Sequence, residues 1–248
     1  MSQAKDTVRY AQRPFSLPPG ATEIILVRHG ASAHVTPGQL FPRTDDGWGD
    51  PALAPEGERQ AEAVTQRLAS EAITGLFVSG LQRTLQTVAP LAARLGLEPV
   101  VVRDLREVYI GDYEAGVFRI KQNEGDALVA RVFAEERWDV IPNAEPMDVF
   151  AGRVRRGIEL VAAAVGPDAV AVAIVHAGVV AELCRQGTGS RPFAFINSDN
   201  ASITRLVVLS DGRWVLRSFN DTAHLAQLVA EATAGQAATG LAGVSTTA

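Results

Sequence analysis

Apolar positions along the chain follow two rhythms. Residues 24–27 (Ile-Ile-Leu-Val) and 169–175 (Ala-Val-Ala-Val-Ala-Ile-Val) are short, continuous and rich in β-branched side chains, the pattern of strands buried on both faces. Other stretches repeat at helical spacing. Gly57, Ala61, Val64 and Leu68 form one stripe, and Leu81, Leu85, Val88, Ala92 and Leu95 a second that Gly96 closes. Phe150, Val154, Ile158, Val161 and Val165 form a third, stopped by Gly166-Pro167, and Val179, Val180, Leu183 and Cys184 mark a fourth. Residues 75–79 and 99–102 read as further strands. Residues 203–209 and 213–217 read as a hairpin over Asp211-Gly212.

This alternation of strands and helices predicts a three-layer α/β/α sandwich around a mixed, mostly parallel sheet. Three regions are expected. Residues 1–20, with Pro14, Pro18, Pro19 and Gly20, form an irregular lead-in. Residues 21–224 form the α/β domain, with a small helical and loop cap inserted at about 113–146 and one helix at about 127–138. Residues 225–248, mostly Ala, Gly, Thr and Val near the end, are expected to be disordered.

Composition narrows the function. With 47% apolar and 21% charged residues in 248, the chain has ample material for a core. A net charge of −5 argues against a general pull towards nucleic acid or anionic membrane, so any anionic ligand must meet a local cluster of positive groups. The lone Cys184 allows no intrachain disulfide and reads as a buried structural thiol. No run approaches the roughly 20 apolar residues of a membrane span, and the N-terminal residues lack the apolar core of a secretory signal. A cytoplasmic location is expected. A dimer through a sheet edge is left open.

The chemistry gathers at strand ends, where open α/β sheets bind ligands. Arg28-His29-Gly30 directly follows the first strand, and His176 ends the strand at 169–175. Either imidazole can be a nucleophile or a hydrogen-bonded structural group. Arg28 can clamp a phosphate with its planar fork. Ser79, Arg83 and Thr87 recur every fourth residue on one face near a helix start, a place that favours anions. Leu105-Arg106-Glu107 begins an acid-rich loop that offers a proton donor or merely a solvated surface.

Five motifs in this order carry a resemblance: Arg28-His29-Gly30-Ala31-Ser32, Leu53-Ala54-Pro55-Glu56-Gly57, Ser79 to Thr87 around Arg83, Leu105-Arg106-Glu107 with Gly111-Asp112-Tyr113-Glu114, and Val175-His176-Ala177-Gly178. Together they resemble the histidine phosphatase superfamily, the group that includes cofactor-dependent phosphoglycerate mutases. The resemblance implies that His29 becomes phosphohistidine, that Arg28, Arg83 and His176 form the phosphate pocket with it, and that Glu107 is the proton donor. It implies a small phosphorylated substrate and neither metal nor cofactor. Two Arg and a protonated His would neutralise the transferring phosphoryl group, and the second nitrogen of His29 would need an acceptor such as a backbone carbonyl.

Two departures bear on the reaction. Mutases of the family carry a phosphate-binding Asn shortly after Arg-His-Gly, where this chain has Ala33-His34-Val35. Mutases also carry paired Arg in the insert, whereas here Arg119, Lys121, Arg131 and Arg137 are all separated. Both favour a metal-independent phosphomonoesterase. A 2,3-bisphosphoglycerate-dependent phosphoglycerate mutase is the first alternative, and a non-catalytic module binding phosphate esters or phosphoproteins the second. Around the rim, His34, Phe41, Arg43, Trp48 and Arg119 are candidates for leaving-group contact, or plain packing and solvated surface.

Overall fold

The computed structural model describes residues 11–228 and 230. Its strands are β1 (Thr22–Arg28), β2 (Ile73–Val78), β3 (Val100–Val101), β4 (Ala169–Val175), β5 (Ile203–Val208) and β6 (Trp214–Asp221). They form one sheet in the order β3-β2-β4-β1-β5-β6. The pairings β1–β4, β2–β4 and β2–β3 are parallel, and β1–β5 and β5–β6 are antiparallel. The sheet is therefore mixed and mostly parallel, as the sequence predicts.

The two continuous apolar runs are neighbours at the centre, because only there are both faces covered. Successive β1 side chains divide between two cores. Ile24 and Leu26 pack with residues of α5 (Met147–Val165) and α6 (Ala177–Thr188). Ile25 and Val27 pack with residues of α1 (Pro55–Leu68) and α2 (Gln82–Leu95). All four are fully buried, each contributing roughly 1.5–3 kcal/mol of transfer free energy. Helices on both faces complete the α/β/α sandwich. Cys184 is buried in α6, where burial pushes its thiol pKa up to about 12.

Some expectations shift. The stripe beginning at Leu81 starts its helix at Gln82, so Ser79 lies in the preceding loop. The 111–146 stretch holds two α-helices, α3 (Val117–Asn123) as well as α4 (Ala127–Glu135). At seven residues with none buried, α3 is too short to show a periodic stripe. Asp126 caps α4 by accepting from the Leu128 and Val129 N–H groups. Val132 and Ile141 join Phe193 in a small separate core beneath this insert. Leu225, expected to begin the loose tail, is buried against the α1/α2 core, with Leu228 partly buried beside it. Residues 229 and 231–248 of the expected tail, and residues 1–10 of the lead-in, lie outside the described residues. Among the described residues no helix is long and apolar enough to cross a membrane.

Candidate active site

Sheet register brings the distant motifs together. Arg28 is the partner of Val175 in the parallel β1–β4 pair, so the next residues, His29 and His176, leave the carboxyl ends of adjacent strands side by side. The His29 N–H donates to the Val175 carbonyl (3.0 Å), and the two imidazoles meet edge to face with centroids 5.1 Å apart. On the other side of β4, Val78 pairs with Ile174, which delivers Ser79 to His176 at 2.9 Å (Oγ to Nε2). Arg83, in the first turn of α2, reaches His29 and the Gly49 carbonyl.

Donor logic sets the state of His29. Its Nδ1 lies 2.7 Å from the Gly30 carbonyl, which can only accept, so Nδ1 carries the hydrogen. Nε2 accepts from Arg83 Nε–H at 3.2 Å and holds the lone pair at the cavity. Burial, reinforced by Arg83 and Arg28, holds the His29 pKa well below the ordinary histidine value, so the ring is neutral at pH 7. The same reasoning reaches His176. The Thr84 hydroxyl donates to the Leu81 carbonyl (2.7 Å), so Ser79 must give its proton to Thr84 and accept from His176 Nε2–H. His176 Nδ1 is buried without a partner. Burial first, then Arg83 and His29, depress the His176 pKa well below normal. The protonated His176 expected from the sequence is therefore not the ligand-free state. A bound dianion is the partner that would draw a proton onto Nδ1.

Glu107 is held at both ends. Arg153 uses all three guanidinium nitrogens: Nη1 donates to the carbonyls of Asp104 and Arg106, Nη2 to that of Glu107, and Nε and Nη2 pair with Glu145. The Trp48 indole N–H also donates to the Glu107 carbonyl (3.0 Å). The carboxylate accepts from the N–H groups of Val108 (3.0 Å) and Gly178 (3.2 Å). A Cβ on Gly178 would lie 2.5 Å from Glu107 Oε1, so glycine is required where the start of α6 meets the acid. Burial pushes the Glu107 pKa up, opposed by those two N–H groups and by Arg83 and Arg28.

Arg28, His29, Arg83 and Glu107 line one cavity of ≈ 350 Å³, and the fully buried His176 touches the His29 ring without lining the cavity. The structure thus brings together all five residues singled out from the sequence. Of the rim candidates, Phe41, Trp48 and Arg119 border the cavity, while His34 and Arg43 are not among its lining residues. Sequence reasoning missed the supports. Thr87 Oγ1 accepts from Gly30 N–H, Gln60 Oε1 from Ala31 N–H, and Asn200 Nδ2 donates to the His29 carbonyl. Arg153 was read only as part of a helix whose other face packs. Its signal was a charged residue adjoining the apolar stripe at Val154.

Close packing beneath His29 yields a stability prediction. A Cβ on Gly30 would lie 2.5 Å from the Gly57 carbonyl oxygen, and one on Gly57 would strike the Ala31 carbonyl oxygen. Gly57→Ala is expected to lower unfolding free energy by about 1–3 kcal/mol in urea titration, because backbone cannot yield as a flexible side chain can.

Residues 24–222 match the family model described as histidine phosphatase superfamily (branch 1). A probable phosphoglycerate mutase GpmB of Photorhabdus laumondii is 32% identical over 137 residues; the match spans 55% of this chain and 61% of that protein. A metal-independent phosphoserine phosphatase of Arabidopsis thaliana is 26% identical over 210 residues, 84% of each chain. The crystal structure of a mycobacterial glucosyl-3-phosphoglycerate phosphatase superposes with a TM-score of 0.66 at 25% identity, covering 82% of this chain and 100% of its own. With the family model matched over well more than half its length, the chain belongs to the histidine phosphatase superfamily, branch 1, and is an enzyme of the phosphatase class.

Proposed function

We propose that the protein is a metal-independent phosphomonoesterase acting on a small phosphorylated metabolite through phosphohistidine at His29. The observation that carries this reading is the neutral His29, its unprotonated Nε2 held by Arg83 Nε–H, lining a cavity with two guanidinium groups and a buried carboxyl group. In the first step Nε2 bonds to phosphorus, the bond from phosphorus to the leaving oxygen breaks, and Glu107 gives that oxygen its proton. Arg28, Arg83 and His176 stabilise the charge on the non-bridging oxygens. In the second step water attacks phosphorus, the Glu107 carboxylate takes its proton, and His29 and inorganic phosphate are released.

Phosphoglycerate mutase activity is less well supported. Val35 Cγ2 occupies the space beside Gly116 and presents no polar atom. Within the insert, Lys121 pairs with Glu124, Arg131 with Glu135 and Arg137 with Asp139, leaving Arg119 as its cation at the cavity. The shared cavity of Arg28, His29, Arg83 and Glu107 supports turnover over a non-catalytic binding module.

The expected result is phosphate release from p-nitrophenyl phosphate in excess EDTA, with an acid-labile phosphoenzyme in rapid quench. Absence of both, or 2,3-bisphosphoglycerate-dependent mutase turnover exceeding hydrolysis, would overturn the reading.

A further inference from the structure

The outer part of the cavity differs from its phosphate end. Phe41, Tyr113, Phe118, Phe133, Trp138 and Ile196 line it. Phe118 meets Trp138 edge to face at 5.8 Å, and the buried Phe193 braces Trp138 (4.9 Å) and Phe133 (6.3 Å). Polar atoms near these rings are already committed. The Tyr113 hydroxyl donates to Asp126 (3.0 Å), and the Trp48 indole N–H to the Glu107 carbonyl. The Glu114 carboxylate, also at the cavity, accepts from the N–H groups of Gly49, Ile110 and Ala115. The wall therefore offers mainly carbon surface, with the uncharged amides of Gln122 and Asn197 and the unpartnered Ser198 hydroxyl as polar exceptions.

Charge points the same way. Besides Arg28 and Arg83, the cavity's cation is Arg119, whose guanidinium donates to Ser32 Oγ (2.7 Å) and the Ala33 carbonyl (3.1 Å). Its charge acts on His29, Arg28 and Arg83, which places it with the anion end. Arg119 also lies over the Phe41 ring, 5.3 Å from its centroid, and among the described residues that line the cavity no further cation is left for the Phe118–Phe133–Trp138 side. Phe133 is 40% exposed, a large ring that folding alone leaves uncovered next to the site.

We infer, building on the phosphomonoesterase reading, that the leaving group is a bulky apolar alcohol, aromatic or comparably hydrophobic, selected by the Phe118–Phe133–Trp138 wall. A carboxylated or polyhydroxylated leaving group would lose water against these rings and gain only a few neutral partners, Gln122, Asn197 and Ser198. An apolar ring gains contact area and edge-to-face geometry.

The test compares alkyl phosphates of similar leaving-group acidity: 2-naphthylmethyl phosphate against glycerol phosphate, phosphoserine and 3-phosphoglycerate. The expected kcat/KM favours the naphthylmethyl ester by at least roughly tenfold, and Phe133→Ala narrows that ratio by roughly tenfold. Preference for phosphoserine or 3-phosphoglycerate, or a ratio unmoved by Phe133→Ala, overturns the inference and leaves the phosphatase reading standing. Calorimetry separates the two proposals. 2-Naphthylmethylphosphonate, which cannot be hydrolysed, should bind at least about tenfold more tightly than methylphosphonate. Tight binding without turnover of any ester supports the apolar wall and sinks the phosphatase reading. Equal binding of the two phosphonates sinks the wall.

Discussion

His29→Ala should reduce phosphate release by on the order of 10⁴-fold or more and eliminate the phosphoenzyme, because it removes the nitrogen proposed to accept the phosphoryl group. The substitution leaves Arg28, Arg83 and Arg119 around the cavity. Binding of inorganic phosphate should therefore survive while turnover disappears, which separates loss of the nucleophile from loss of the fold. The deleted ring accepts from Arg83 Nε–H and touches His176, so some melting-temperature change is expected. A variant that binds phosphate and still hydrolyses ester at the parental rate would exclude His29 as the nucleophile.

Glu107→Gln is the second large effect, and it depends on the leaving group. The amide keeps the size of the acid but has no acidic proton to transfer. Alkyl phosphates, whose alkoxides leave only with a proton, should slow by roughly 10²–10⁴-fold. p-Nitrophenolate leaves unprotonated, so its ester should still phosphorylate His29. It should then show a burst of one product per site before slow turnover, since water activation also uses Glu107. Burial lifts the Glu107 pKa above the usual carboxylate value. The acid form therefore persists to higher pH, and alkyl-ester turnover falls as pH rises through that value. This limb should vanish in the Gln variant. Equal loss on both esters, without a burst, would remove Glu107 as the proton donor.

How far the site could be read in advance follows from where each signal resides. The strand ends carrying His29 and His176 were visible because β1 and β4 are continuous apolar runs, and a run that must be covered on both faces belongs in the middle of a sheet. Their adjacency followed from that placement. Arg83 and Glu107 are singled out by motif resemblance, and both line the cavity with His29. The short helix α3 was missed because seven residues with no buried side chain leave no periodic trace. Ser79 reads as the end of a strand and, by spacing, as sharing a face with Arg83 near a helix start, yet it lies in the loop between β2 and α2, whose cap is Leu81.

The amino-acid sequence alone thus determined the layered fold, the central strands and the histidines and arginines that gather at the strand ends, since these are written in local periodicity and short motifs. Only the tertiary structure decided the His29 tautomer, the neutral state of the His176 ring, the clamp of Arg153 on the Glu107 backbone and the aromatic wall of the cavity. Those features arise where side chains tens of residues apart shed water and must satisfy each other's donors, acceptors and charges, and no local pattern encodes which partners they will find.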